Sequence, residues 1–450
     1  MNLSISAAIK NADDRKIMWF LFSGTLLMRV SYAIIYYFTH EPPATNAYYE
    51  IALLILDQHS LFYETGSPYY ESVGPLLPWI NALTMMITGK NYLGLYMVTA
   101  FASSLVTVYT YKLLRLIFER DISLLAGSWS TFYLFYFYYT PAPGKDTWMA
   151  FFMVFLLYMI LKLFRMKAFS YVGFAILTIM YVLSFHLDER YFVFSPFLFL
   201  YILISETEFF KRFRIIKASI FALLVIILMI PWTVRNYRTH GRIVLISTRT
   251  EVFTDRIFGY ESRKHVLDDA IKTDGEYFIR DYQIDSVKNG LKTITDGGRK
   301  ISTEMVQAMK DGNLPGPLTG IRASISRMVT MFEPLQLKGR YERTGYFYYK
   351  KSLKHNIATF LFYGVMFLFS IPGFYFMIRK DKHAAFLFLS VIMIYALVHA
   401  LVIPYTNWRY RLPLDALFII AGSCGMINTV RLFKGRISLQ STFQNNPIKK

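Results

Sequence analysis

The 450-residue chain has a single cysteine, Cys424. That excludes an internal disulfide and a cysteine-based metal site. Its eight histidines are scattered, with no His-x-x-x-His pair, so the helical zinc signature is missing as well. There is no glycine-rich phosphate loop, no low-complexity tract and no internal repeat. The lack of a repeat removes the paired halves expected of many secondary transporters. Charged residues make up only 18% of the chain, too few for a water-soluble protein of this size. Ionisable residues are nearly absent from the long apolar runs, which leaves little for an ion pathway.

What is present is apolar. Hydrophobic residues reach 54% and the mean hydropathy is +0.34. The apolar residues come in runs of about 18 to 25 between short basic clusters, the signature of transmembrane helices. The 34 tyrosines and 40 phenylalanines suit rings placed at membrane interfaces. A formal charge of +19 in a soluble chain would suggest nucleic acid. Here the basic residues flank apolar runs, so we read them as helix ends facing anionic lipid and expect no nucleic-acid partner.

Ten spans are predicted, at roughly 17–38, 92–111, 121–139, 147–164, 169–186, 191–205, 216–233, 355–378, 384–404 and 412–430. The run 17–38 is too long for a signal-peptide core and is read as a retained anchor. The stretch 75–87 is short and proline-punctuated, so it is read as re-entrant or interfacial. One set of connections is basic, among them Lys112, Arg115 and Arg120, then Lys211, Arg212 and Arg214, then Arg379, Lys380 and Lys382. The positive-inside rule then puts both termini in the cytoplasm, with the protein in the plasma (inner) membrane. The outer parts are a loop over 39–91, a large segment over 234–353, and short connections near 140–146, 187–190 and 405–411. The expected fold is an all-α polytopic membrane protein with about ten transmembrane helices. It divides into an N-terminal module with the first outer loop (1–233), the large outer segment (234–353), and C-terminal helices with a tail (354–450).

The unusual residues gather on the expected outer face. Arg29 lies in the first span, and the first loop reads Asn46-Ala47-Tyr48-Tyr49, Ala52, Gly66-Ser67-Pro68 and Pro75-Leu76-Leu77-Pro78. Later come "GKDTWMAFF", "PWTVRNYRTHGRIVLIST" and "RYRLPLDALFIIAG". In this order they resemble the GT-C glycosyltransferases, and within them the protein O-mannosyltransferases and lipid A aminoarabinose transferases (glycosyltransferase family 39). That family has an arginine in the first span, then Asp-Ala-x-x-Tyr, an alanine, Gly-x-Pro and Pro-Leu-x-Pro. The resemblance implies a helical membrane enzyme that moves a sugar from a polyprenyl phosphate to an acceptor outside the membrane. Its partners would be the lipid-linked donor, membrane lipid and an acceptor left open. No cofactor is certain, and the resemblance leaves room for a divalent metal in some branches.

The chemistry asks for a cation to hold the departing phosphate and a carboxylate to take the acceptor's proton. Arg409 and Arg411 are the first candidates for the phosphate, with snorkelling to the interface as the alternative. Arg235, just past a span on the outer side, is either a lipid-phosphate ligand or a headgroup contact. Lys145 either pairs with Asp146 or reaches the phosphate. Asp146 falls on the family's second acidic position and also suits a helix start. Asn46 falls on the family's catalytic aspartate, and an amide is no general base. Glu50, one turn on, is the first substitute, with Glu71, Glu41 and Asp146 as others, or else transfer activity is lost and lipid-phosphate binding kept. Arg29 is expected to be structural, paired with an acid or with backbone carbonyls. His186, Asp188, Glu189 and Arg190 read as a solvated tight turn, with Arg190 open to the phosphate set. Cys424 reads as a packing residue. Competing readings are a non-catalytic lipid-phosphate-binding relative, a polysaccharide polymerase or ligase, and a transporter.

Overall fold

The structure is a computed structural model that describes residues 13–41, 46–64, 73–142, 144–166, 170–195, 198, 214–241, 243–247, 282–285, 293–296, 299–302, 325, 328–329, 331–334, 353–402 and 408–435. Among these, seven helices are long and apolar enough to cross a membrane. They are α1 (Asp14–Thr39), α4 (Tyr92–Arg115), α7 (Asp146–Phe164), α9 (Arg214–His240), α11 (Val365–Lys380) with the turns that lead into it, α12 (Lys382–Val402) and α13 (Leu412–Phe433). Each coincides with an expected span. Two more apolar helices are shorter, α3 (Leu76–Thr88) and α8 (Tyr171–Leu187). Helix α8 answers the span expected at 169–186. Helix α3 shows that the proline-punctuated stretch forms a regular helix, because both its prolines fall at the start, where a missing N–H costs little. The expected span at 191–205 begins as a 3-10 turn, Glu189–Val193, and the rest lies largely outside the described residues.

The span expected at 121–139 is broken. Helix α5 (Arg120–Phe132) stops, Tyr133 is extended at φ −64° and ψ 112°, and α6 (Leu134–Tyr138) resumes. A break at this depth frees carbonyls that have no water to turn to. Arg29 supplies the donors. Its Nη2 donates to Ser130 O at 3.2 Å and Thr131 O at 2.8 Å, and its Nε donates to Ser103 Oγ at 3.3 Å. The guanidinium also lies 3.5 Å from the Phe137 ring centroid, so its other face is covered by a ring just beyond the break. Of the two partners expected for Arg29, an acid or backbone carbonyls, its contacts here are with carbonyls.

Helix α7 is buried along nearly its whole length and forms the centre of the bundle. Helices α11 and α13 run beside each other with backbones in contact. A Cβ on Gly373 would stand 1.8 Å from Ala421 O, and one on Gly425 would stand 1.9 Å from Phe369 O. Small residues let membrane helices approach this closely. Helix α10 (Leu353–Thr359) reaches α11 through a π-helical turn, Phe360–Gly364. There Phe362 O accepts a hydrogen bond from Trp129 Nε1 at 3.0 Å. In the first loop, α2 (Ala47–Asp57) packs Ala47, Ile51, Ala52 and Ile55 against Ala82, Met85 and Trp232. The segment over 234–353 contributes three short strands, β1 (Tyr282–Asp285), β2 (Thr293–Asp296) and β3 (Arg299–Ser302), in an antiparallel sheet of order β1-β2-β3. The scaffold is therefore helical, as expected, with a small sheet added in that segment.

The glycine seam yields a prediction. Gly425→Ala or Gly373→Ala must push two helix backbones apart, an overpacking cost of about 1–3 kcal/mol or more. The purified variants should melt at lower temperature in detergent than Gly24→Ala, since Gly24 has open space around it. Equal melting temperatures would contradict the close approach.

Candidate active site

The sequence "TPAPGKD" ends in a turn and opens α7 with an acidic residue in its first turn, where a negative charge is stabilised by the helix N-terminus. Lys145 and Asp146 are adjacent, yet they find different partners. Asp146 accepts a hydrogen bond from Arg409 Nε at 2.7 Å. Arg409 lies in the 3-10 turn Trp408–Arg411 that leads into α13. The Asp146 side chain is only 4% exposed, whereas that of Arg409 is 44% exposed. The guanidinium is thus anchored by a buried carboxylate while the side chain stays nearly half exposed. Gly144 lies beside this pair, and a Cβ there would stand in ordinary van der Waals contact, 3.5 Å from Asp146 Oδ2 and 3.6 Å from Arg409 Nη2.

Lys145 forms an ion pair with Asp188, just beyond α8. Asp188 is fully buried and also holds Arg190 through both oxygens, at 2.7 Å from Nε and 2.9 Å from Nη2. Arg190 Nη1 donates to Tyr395 Oη at 2.9 Å. The solvated turn expected at 187–190 is therefore a buried junction. Burial pushes the Asp188 pKa up, but Arg190 and Lys145 outweigh it and hold the carboxyl well below the usual carboxylate range.

Arg411 faces the other way. It is fully buried and donates from Nε to Asp415 Oδ1 at 2.6 Å. Tyr133 Oη donates to the other oxygen of Asp415 at 2.7 Å, and the Arg411 guanidinium lies 3.2 Å from the Tyr363 ring centroid. Arg411 thus ties the broken helix, the π-turn and α13 together behind Arg409. Arg235 is also buried. It donates from Nε to Tyr63 O at 3.0 Å, and its guanidinium lies 5.1 Å from the Trp232 ring centroid. It clamps the first loop to α9.

Asn46 caps α2. Its Oδ1 accepts from Tyr49 N at 3.1 Å, and its own N donates to Glu50 Oε1 at 3.3 Å. Asn46 and Glu50, the first carboxylate considered in place of the family's aspartate, are thus joined in a reciprocal helix cap. His186 Nδ1 donates to Val182 O at 2.9 Å, and its ring centroid is 5.8 Å from that of Trp79. Glu71 lies outside the described residues, while Cys424 is buried in the α13 packing. The structure thus brings together Lys145, Asp146 and Arg409. It adds Tyr395, which the sequence did not single out, and it places Asp188 and Arg190, read from the sequence as a solvated turn with Arg190 open to the phosphate set, in a buried ion pair. An arginine on a connection expected to face outward, against the positive-inside rule, was the available signal for Arg190. The i,i+4 spacing of Arg411 and Asp415 was the signal for the second pair.

A divalent metal would need several oxygen or nitrogen ligands. Asp146 and Asp188 both face cations, and among the described residues no three His, Cys, Asp or Glu side chains come together. The described donors do not fit a metal site.

The family model described as dolichyl-phosphate-mannose-protein mannosyltransferase matches residues 72–233. No curated protein matches the chain. Among solved structures, the chain is similar to the oligosaccharyltransferase AglB of Archaeoglobus fulgidus in complex with an inhibitory peptide and a dolichol-phosphate. The TM-score is 0.55 at 15% identity, covering 94% of this chain and 52% of that one. The A. fulgidus enzyme tethered to an acceptor peptide is also similar, with a TM-score of 0.51 at 13% identity, covering 95% and 52%. The chain thus spans about half the length of the solved structures it matches.

The buried junction predicts an acid-sensitive fold. Asp188 has a depressed pKa, so the stability it contributes is complete above the unfolded carboxylate value of about 3.9 and is lost as pH falls through the folded value. Asp188→Asn leaves two buried cations without their counter-charge and should cost about 3–5 kcal/mol. Thermal melts in detergent at pH 7 should show that loss, and the gap from the parent should narrow below pH 4. A gap that is absent at pH 7 would rule out the junction.

Proposed function

With a chain of the GT-C glycosyltransferase fold as premise, we propose that this protein transfers a sugar from a polyprenyl-phosphate donor to an acceptor at the outer membrane face. The observation that carries this reading is the Asp146–Arg409 pair, a buried carboxylate holding a half-exposed guanidinium at one end of an apolar bundle. The matched family model and the dolichol-phosphate named with the solved relative support a lipid-linked donor.

In this reading Arg409 binds the donor phosphate, since a guanidinium matches phosphate oxygens in geometry and charge. The acceptor group attacks the anomeric carbon and forms the new glycosidic bond as the bond from that carbon to the phosphate oxygen breaks. Polyprenyl phosphate leaves carrying the electron pair, and Arg409 stabilises the charge that develops on it. Asp146 fixes Arg409 and, as the carboxylate beside it, receives the acceptor's proton in this reading. Lys145 and Arg190, both paired with Asp188, hold the start of α7 in position, and Arg411 holds the turn that carries Arg409. Arg235 holds the first loop over this end of the bundle.

A second reading rests on Asn46. Its side chain serves as a helix cap where the resembled family has an aspartate, which suits a lipid-phosphate binder without transfer activity. One experiment separates the two. The protein in lipid vesicles receives labelled polyprenyl-phosphate sugars with a membrane extract as acceptor, and release of polyprenyl phosphate is followed. Transfer is expected, and Arg409→Ala should lower it about 10²-fold or more. Asp146→Asn should lower turnover with donor binding retained. Donor binding without release in the parent chain would favour the binder. Full activity in Arg409→Ala would remove the phosphate assignment.

A further inference from the structure

We infer that the turn joining α11 to α12, at the end of the bundle opposite the candidate active site, holds an anionic phospholipid. A groove of about 360 Å³ is lined there by Ile378 of α11 and by Lys382, His383, Phe386 and Leu389 of α12. Lys382, Phe386 and Leu389 follow i, i+4, i+7 spacing and so share one face of the helix. The groove is cationic at its mouth and apolar along its length, with Phe386 58% and Ile378 48% exposed.

The charge around it is one-sided. The single acid of the turn, Asp381, forms an ion pair with Arg165, and its Oδ1 accepts from Ala384 N at 3.0 Å. Arg379, Lys380, Lys382 and His383 surround an anion that is already neutralised. A lipid phosphate placed at Lys382 and His383 would lay an acyl chain along Phe386, Leu389 and Ile378. A free phosphate would gain nothing from that apolar wall. A zwitterionic lipid carries its own cation and would gain less from the mouth. Basic pockets between helices at headgroup level are where anionic lipids are retained.

The test uses the full chain in detergent micelles with added phosphatidylglycerol or phosphatidylcholine, and native mass spectrometry to count retained lipid. Phosphatidylglycerol should be retained about fivefold or more over phosphatidylcholine. Lys382→Gln with His383→Gln should bring it down to the phosphatidylcholine level, and Phe386→Ser should weaken it further. Lys434→Gln, at the same end but away from the groove, should change nothing. An unchanged melting temperature in the double variant verifies its fold, since both side chains are on the surface. Equal retention of the two lipids, or undiminished retention in the double variant, would overturn the site. Competition by glycerol phosphate at the lipid's own concentration would also overturn it, by making it a free-phosphate site.

Discussion

Moving an ion from water into an apolar interior costs several kcal/mol even after relaxation, and only a well-placed counter-charge offsets it. At one end of this bundle Lys145, Asp146, Asp188 and Arg190 are all buried, and the arrangement of the helices there follows from that constraint. Lys145 and Asp146 are neighbours in sequence with opposite charges, but each turns to a different helix. One side chain draws in the end of α8 through Asp188, and the other draws in the turn before α13 through Arg409. The start of α7 is thereby held from two sides, and the guanidinium left half exposed is the one that can meet a ligand.

The second buried pair has a different consequence. Arg411 and Asp415 neutralise each other within one helical turn, and Tyr133 and Tyr363 complete their surroundings. Tyr133 is the residue at which the fifth helix breaks, so the break and the arginine before α13 are bound to one carboxylate. Arg29 makes the same break tolerable from the other side by donating to the carbonyls it frees. Two arginines that look alike in composition therefore serve backbone geometry, and a third, Arg409, serves the surface.

Much of the scaffold was legible in the sequence because hydrocarbon imposes its length on any helix that crosses it. Seven expected spans appear where the hydropathy puts them. The break at Tyr133 was not legible, since the aromatic residues on both sides continue the apolar run without a proline or glycine. Arg29 was legible because a cation at that depth must have donors to place. Asp188 and Arg190 were not, because their neighbours in sequence look like a polar turn, and their partners Lys145 and Tyr395 are brought to them only by packing. Asn46 was recognised as a departure from the resembled family, and the structure supplies its local use as a cap.

The glycine contacts between α11 and α13 bear on motion. Two backbones in contact cannot slide past each other by a residue, since the next side chain along would enter space that now holds none. Helix α13, the turn carrying Arg409 and the π-turn carrying Tyr363 are therefore packed together as one block. In the proposed reading, an opening that admits a long-chain lipid comes from the other wall, where Arg235 holds the first loop through hydrogen bonds and ring contacts that can be exchanged.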